Sequence, residues 1–129
     1  MNLTNVFFHV IKDHKTMQGK FESNTFDFIF SIATLHHMEK EDVWCYLKVF
    51  HNLLKRNGVV CLDFPDFSSD ESFKVFVENA VSGNRFLTRM HYFTLEEIEI
   101  LMKRANFKIK SISPHYRFSG KYLVLAEKE

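Results

Sequence analysis

The chain has 129 residues, and 46% of them are hydrophobic, which is enough for one globular domain with a buried core. Its 17 basic and 16 acidic residues leave a net charge of +1, and the basic residues are too dispersed to indicate a nucleic-acid surface. No segment has the pattern of a membrane span or a signal peptide, so we expect a cytoplasmic protein. The two cysteines, Cys45 and Cys61, suit buried thiols of a reducing compartment, and no disulfide is expected.

The first predicted element is a strand at residues 5–11, with the sequence NVFFHVI. It ends at Lys12 and Asp13, and a polar connection through Gly19 follows. This connection leads to residues 26–66, the segment around which we expect the rest of the chain to be organised.

The segment 26–66 predicts a strand, a loop, a helix, a turn and a second strand. The apolar run at residues 26–32 is typical of a strand covered on both faces, and it places Phe30 in the core. The helix that follows has one apolar face, formed by Val43, Leu47, Phe50 and Leu54. Its last turn is expected to hold basic residues and then a left-handed C-cap, in the order Lys55, Arg56, Asn57 and Gly58.

The second strand spans residues 59–64 and is stopped by Pro65. Two buried strands joined by a helix form a right-handed crossover, and ligands bind beyond the carboxyl ends of the strands in such sheets. The sequence therefore predicts a functional edge that contains His36, His37, Pro65 and Asp66.

Two more helices are predicted after a short linker. The first has an apolar face formed by Phe73, Phe76, Val77, Ala80 and Val81. Ser68 and Glu71 have capping-box spacing before it, and Gly83 and Asn84 end it. The second helix begins at Thr94, with Glu97 completing a capping box and Phe93 stapled to Ile98. Strands beginning at Phe107 and spanning residues 122–126 close the chain.

The motifs in these elements closely resemble class I S-adenosylmethionine-dependent methyltransferases of the small-molecule type. They include FD at residues 26–27 before an apolar strand, Ser31, LHH at 35–37, and LLKRNG at 53–58 before the next strand. YFTLEEI at 92–98 and RANF at 104–107, followed by two strands, resemble the closing helix and antiparallel hairpin of the same family. The family usually has LKPGG where this chain has LKRNG, so one glycine is missing.

The resemblance implies an α/β fold of truncated Rossmann-like methyltransferase type. The sheet would be mostly parallel with a C-terminal antiparallel hairpin, and helices would lie on both faces. Residues 1–129 would form a single partial methyltransferase-like domain, and residues 67–93 a substrate-covering insertion.

The resemblance also implies S-adenosylmethionine as the cofactor. Asp13 would accept a hydrogen bond from the adenine amino group, unless it is only a turn residue, and the loop after the strand at 26–32 would line the pocket near the reactive methyl group. The cofactor-binding candidates are Asp13, Ser31, Ile32, Ala33 and His36. The substrate-binding candidates, unless they are only solvated loop residues, are Asp66, Arg85, Arg89, His91 and Tyr92.

The glycine-rich turn and the acidic ribose ligand of the family are absent, since Gly19, Gly58, Gly83 and Gly120 are isolated. The chain therefore resembles the last two thirds of the fold, in which the strand at 26–32 has lost its first-strand neighbour. A bare edge invites pairing with another strand. The strand at 5–11 moved inward, a second copy of the chain, or a separate polypeptide could cover it, and we favour the inward strand.

Catalysis by His36 or His37 is the weaker alternative to a loop that only lines the pocket, because methyl transfer to a good nucleophile needs mainly alignment. A zinc site from His9, His14, His36 or Cys45 is disfavoured by their spacing, so no metal is expected. Two functions remain open. The chain is either the C-terminal part of a methyltransferase for a small molecule, RNA or protein, inactive in isolation, or a non-catalytic methyltransferase-like binding or structural module.

Overall fold

The computed structural model describes residues 5–83, 89–114 and 120–129. The helices in these ranges are α1 (His14–Lys20), α2 (Lys40–Leu53), α3 (Asp70–Ser82) and α4 (Leu95–Arg104). The strands are β1 (Phe26–Ser31), β2 (Leu54–Pro65), β3 (Phe107–Pro114) and β4 (Lys121–Lys128), and a short 3₁₀ helix spans Leu35–His37. None of the described helices has the length and apolar character needed to cross a bilayer.

The strands form one four-stranded sheet with the order β1-β2-β4-β3. β1 and β2 are parallel, with Phe28 opposite Val59 and Ser31 opposite Leu62, and α2 is the crossover between them. β4 is antiparallel to both β2 and β3, so β1, β2 and β3 run in one direction and β4 in the other. The predicted α/β fold, with mostly parallel strand direction and a C-terminal antiparallel hairpin, is therefore confirmed.

The core lies between one face of this sheet and the helices α2 and α4. The apolar spacing of α2 is the reason for its burial, because residues one helical turn apart lie on the same face. In β2 the core residues fall at every second position, as expected for one face of a strand. The main contributors are Leu47, Phe50, Val60, Leu62, Phe64, Ile98, Met102 and Val124.

The opposite face of the sheet is partly open. Phe28 and Phe30 pair in register with Val59 and Cys61, which lie outside the core cluster, and the two phenylalanines are 50% and 67% exposed. The expected helical cover is thus seen on one face among the described residues. The prediction that Phe30 is a core residue is wrong, because the alternation of β1 turns its side chain away from α2 and α4.

The N-terminal segment differs from the prediction. Residues 5–11 have no regular secondary structure, and Phe7 and Phe8 are 77% and 86% exposed. Apolar residues alone do not make a strand, since a strand needs a neighbour for its backbone hydrogen bonds. The preferred inward placement beside β1 is therefore wrong, and β1 is an edge of the described sheet, as the bare-edge argument expected. The polar connection that follows contains α1, which the sequence pattern did not predict.

Several element boundaries also differ. α2 ends at Leu53 and β2 begins at Leu54, so Lys55 and Arg56 belong to the strand and not to the last helical turn. Asn57 does adopt a left-handed backbone, with φ 63°, but within the irregular start of the β1–β2 pairing. The N-cap of α3 is Ser69, whose side chain accepts a hydrogen bond from the Ser72 backbone, and not Ser68.

Two predicted helix signals are confirmed. Thr94 and Glu97 form a reciprocal capping box at the start of α4, and Phe93 beside it is fully buried. Gly83 ends α3 with φ 68°, the left-handed conformation that glycine adopts without steric cost. The apolar face of α3 is largely exposed, however, and Ser72 is its one buried residue among those described. The sequence periodicity found the helix but not its environment.

Candidate functional site

The carboxyl ends of β1 and β2 meet at one edge of the sheet, where Ser31 lies opposite Leu62. The loop after β1 contains the 3₁₀ helix Leu35–His37, and Asp66 follows β2 directly. Residues 89–93 join this edge because the Phe93 backbone N–H donates to the Pro65 carbonyl at 2.9 Å and the Phe93 carbonyl accepts from Phe67 at 3.1 Å. The structure thus brings His36, His37, Pro65 and Asp66 to the same end of the sheet.

A buried carboxylate organises this edge. Asp63 is fully buried in β2, and its Oδ1 accepts a hydrogen bond of 2.8 Å from the backbone N–H of Ala33. Ala33 has a left-handed backbone, with φ 56°, so this bond fixes an unfavourable turn just after β1. The Asp63 Oδ2 lies 3.7 Å from the Nζ of Lys121, which is itself largely buried. The β2–β4 register places the two together, since Lys121 pairs with Pro65 and Leu123 with Asp63.

Lys121 continues the network into the histidine pair. Its Nζ lies 3.3 Å from His36 Nδ1, and His36 Nε2 lies 2.8 Å from His37 Nε2. His37 Nδ1 in turn lies 3.3 Å from the carbonyl oxygen of Arg89. The network therefore connects β2, β4, the loop after β1 and the segment at residues 89–92.

The groups at the two ends of this hydrogen-bonded series, the Lys121 ammonium and the Arg89 carbonyl, fix both histidine tautomers. An ammonium group can only donate, so His36 Nδ1 accepts from Lys121 and the His36 proton lies on Nε2. A carbonyl oxygen can only accept, so His37 carries its proton on Nδ1 and donates to Arg89. His36 Nε2–H then donates to His37 Nε2, which is the free acceptor. These two tautomers satisfy every contact in the network.

The electrostatics agree with a neutral His36. Burial, reinforced by the positive charge of Lys121 and by His37, lowers the pKa of His36 from 6.5 to about 4. The ring is 5% exposed. Both ring nitrogens of His36 and of His37 are engaged by neighbours, so the arrangement positions two loops and presents neither ring as a free base.

The sequence analysis missed Asp63 and Lys121. A single acidic residue within the apolar run at 59–64 was an available signal, because a charge is rarely buried without a partner. Lys121 carried no such signal, since it precedes the last strand in a position typical of solvated lysines.

A cavity of about 540 Å³ lies beside this network. It is formed by α3, the segment at residues 89–92 and the start of α4, and it brings together three of the predicted substrate residues. Its lining includes Phe67, Phe76, Asn79, Arg89, His91, Tyr92 and Glu97. The predicted substrate residue Asp66 is used locally, since its Oδ1 accepts from the backbone and hydroxyl of Ser68 at 2.9 and 2.7 Å. Arg85 lies outside the described residues.

Ion pairs surround the mouth of the cavity. Glu39 lies 3.9 Å from the Arg89 guanidinium and 3.6 Å from His91 Nε2. Glu97 accepts from Lys40 at 2.6 Å through Oε1 and from the Thr94 backbone at 2.8 Å through Oε2. Burial alone would raise the pKa of Glu97, but these hydrogen bonds leave that pKa below its ordinary value. Glu97 is therefore an ionised acceptor with a hydrogen bond at each of its carboxylate oxygens.

The residues predicted to bind the cofactor belong to two parts of the chain, the start of α1 and the end of β1 with the loop that follows it. Asp13 caps α1, where its Oδ1 accepts from the Thr16 backbone and hydroxyl at 2.7 and 2.8 Å. Asp13 also lies near Tyr46 of α2. Burial, and then the negative charge of Asp13, raise the pKa of Tyr46. Ser31 is the last residue of β1 and Ile32 follows it, and both are partly buried.

A direct test of fit to S-adenosylmethionine follows from these contacts. The backbone N–H of Ala33, both ring nitrogens of His36 and the Oδ1 atom of Asp13 all take part in internal hydrogen bonds. The isolated glycines also offer no turn through which the backbone could approach the cofactor's amino-acid tail. Each of these three groups, on Ala33, His36 and Asp13, therefore already has a partner within the chain.

The zinc candidates named from the sequence can be placed in part. Within the described ranges, no group of three or more His, Cys, Asp or Glu side chains has an arrangement that could hold a metal ion. Cys45 and Cys61 are free thiols, and burial followed by the Asp63 charge raises the pKa of Cys61.

Comparisons with known proteins agree with the observed fold. A sequence model of the family described as methyltransferase domain matches residues 4–112. A SAM-dependent methyltransferase from Thermotoga maritima, described as a possible histamine N-methyltransferase, is similar with a TM-score of 0.65 at 18% identity, over 85% of this chain and 59% of that one. A SAM-dependent methyltransferase from Archaeoglobus fulgidus gives a TM-score of 0.70 at 12% identity, over 97% and 69% of the two chains.

Magnesium protoporphyrin IX methyltransferase from Synechocystis, solved with bound SAH, is similar with a TM-score of 0.63 at 17% identity, over 82% of this chain and 46% of that one. No curated protein matches this chain. The chain thus spans 59% of the Thermotoga protein and less than half of the Synechocystis enzyme. Because the family match covers most of the sequence, the chain belongs to the methyltransferase domain family, and its fold is that of the solved S-adenosylmethionine-dependent methyltransferases.

Proposed function

We propose that this chain is the acceptor-binding C-terminal part of an S-adenosylmethionine-dependent methyltransferase, and that in isolation it does not bind the cofactor and is inactive. The observation that carries the proposal is the cavity of about 540 Å³ lined by Arg89, His91 and Tyr92. The cavity lies at the carboxyl edge of the parallel strands, where ligands of such folds bind. A cytoplasmic location is part of the same proposal.

The polar network supports this role through positioning. His36 accepts a backbone hydrogen bond of 2.7 Å from His91, and His37 contacts the Arg89 carbonyl at 3.3 Å. Asp63 and Lys121 hold the other side of the same loop. The loop after β1 and the cavity wall are therefore fixed relative to each other, which is what methyl transfer by alignment requires. In this proposal neither histidine acts as a catalytic base, because the nitrogens of both rings are occupied.

A non-catalytic methyltransferase-like module is the second candidate. The observation that favours it is the internal satisfaction of the cofactor-facing groups, above all the Ala33 N–H and His36. The exposed face at Phe28 and Phe30 would then serve a partner chain or self-association, with β1 as the pairing edge.

Isothermal titration with S-adenosylmethionine tests the proposal. The isolated chain should give no saturable heat at concentrations where a micromolar site would be filled, because the residues that would hold the tail and ribose are missing. Micromolar binding by this chain alone would overturn the claim that it does not bind the cofactor in isolation.

The coding sequence upstream of Met1 separates the two candidates. An in-frame glycine-rich turn there would favour the enzyme, and a protein extended to include it should bind the cofactor. If the extended protein binds no cofactor and transfers no methyl group, the non-catalytic module is the better interpretation.

A further inference from the structure

We propose that the cavity beside residues 89–92 binds a planar aromatic small molecule that carries an anionic group, such as a carboxylate or a phenolate. The identification of this molecule as the methyl acceptor rests on the proposed function. The binding itself does not, because it uses contacts that the described residues already make.

The walls of the cavity are aromatic. Phe67 and Phe76 meet edge to face, with ring centroids 5.3 Å apart and planes at 82°. Tyr92 is the third aromatic residue of the cluster, and its ring centroid lies 5.6 Å from that of Phe67 and 6.1 Å from that of Phe76. Rings in contact at these angles present both faces and edges to the space between them, which complements a flat π-system. The volume of about 540 Å³ lies within the range of small-molecule sites and accommodates a fused ring system.

Arg89 brings a guanidinium to the cavity lining. Both carboxylate oxygens of Glu97 are already used, by Lys40 and by the Thr94 backbone. Among the described residues, the Arg89 guanidinium has one ion pair, with Glu39 at the long distance of 3.9 Å. A guanidinium carries five N–H donors in a planar fork that matches a carboxylate. An acceptor of negative charge on the ligand is therefore the group that the Arg89 guanidinium can bind.

The cavity is also held in shape before any ligand arrives. The His91 backbone donates to the His36 carbonyl at 2.7 Å, which ties one wall to the loop after β1. On the other side, the Ser72 hydroxyl donates to the Gly120 carbonyl at 3.0 Å and anchors the start of α3. Binding then costs little ordering of the site, which favours affinity from few contacts.

Three probes test the proposal on the isolated chain, without S-adenosylmethionine: naphthalenecarboxylate, its uncharged carboxamide, and the saturated decalincarboxylate. Titration calorimetry and amide NMR shift mapping would report affinity and location. We expect the aromatic carboxylate to bind at least about tenfold more tightly than either analogue, because one lacks the charge and the other the ring faces. Shifts should centre on Asn79 and Tyr92.

Paired variants give the decisive comparison. Phe76→Ala should weaken the aromatic carboxylate about tenfold, whereas Phe73→Ala should have little effect, since Phe73 lies on the same helix in the same aromatic cluster but not in the cavity lining. Arg89→Gln should abolish the preference for the carboxylate over the carboxamide. Arg104→Gln, a charge change at the end of α4, should leave that preference intact.

Absence of binding by all three probes, equal affinity for the carboxylate and the carboxamide, or equal losses in the Phe73 and Phe76 variants would overturn the assigned ligand class. Because the cofactor is absent from these titrations, such a result would leave the proposed function to its own test. Suppose instead that the chain binds the probe but that the protein extended to include an upstream glycine-rich turn fails every methyl-transfer assay. That result would support the ligand class and refute the proposal that the protein is an enzyme.

Discussion

Acid destabilisation through His36 is the sharpest quantitative prediction from this structure. His36 is 5% exposed and accepts a hydrogen bond from the Lys121 ammonium, so protonation of its ring would bury a second positive charge beside the first. The pKa of His36 accordingly falls from 6.5 to about 4 on folding. Between these two values the unfolded chain binds more protons than the folded one, so the free energy of unfolding must decrease as the pH falls.

The magnitude follows from the same two pKa values. The full shift corresponds to about 3 kcal/mol, present above the unfolded pKa and lost as the pH falls to the folded pKa. Between about pH 7 and about pH 5, the loss from this one group is about 2 kcal/mol.

Urea denaturation of the wild type and of His36→Asn, followed by circular dichroism at these two pH values, measures the effect. Asparagine keeps an acceptor for Lys121 but does not titrate, so the variant isolates the ring. The variant should lose about 2 kcal/mol less than the wild type over the same pH interval. Other groups, such as His51, whose pKa is also lowered chiefly by burial, contribute equally to both proteins. If the two proteins lose the same stability to within about 0.5 kcal/mol, the buried neutral histidine and its tautomer chain are wrong.

Three further predictions concern stability, each measured by chemical denaturation at neutral pH. Phe50→Ala should cost about 3–5 kcal/mol because the ring is 4% exposed in the core, whereas Phe30→Ala should cost less than about 1 kcal/mol; equal losses would contradict the assignment of the open sheet face. Thr94→Ala should cost about 1 kcal/mol through the lost capping box, with Thr94→Ser as the control that retains the hydroxyl. The double change of Val6→Lys and Phe8→Lys should lower the free energy of unfolding by less than about 1 kcal/mol, since both side chains are exposed. If the double variant is unfolded, that result would support the buried strand predicted at residues 5–11.

Much of the local structure could be predicted from the sequence. The crossover of β1, α2 and β2, the capped start of α4 and the β3–β4 hairpin each depend on periodicity, capping residues or a turn within a short stretch of chain. The family resemblance added the global arrangement, and the family match over residues 4–112 bears it out. The prediction of a strand at residues 5–11 was wrong. Its apolar residues match the pattern of a strand but do not pair with another strand of the described sheet.

The candidate site separates more clearly what the sequence determines from what only the tertiary structure decides. The sequence by itself determined which residues end the parallel strands, and so pointed to His36, His37, Pro65 and Asp66. The segment around Arg89 was indicated only by the family resemblance. Only the tertiary structure decided that Asp63 and Lys121 meet there, because their contact depends on the register between β2 and β4, which are separated by more than fifty residues of chain. It also decided that the Phe30 side chain faces outward, since strand alternation specifies two faces but not which of them a helix will cover.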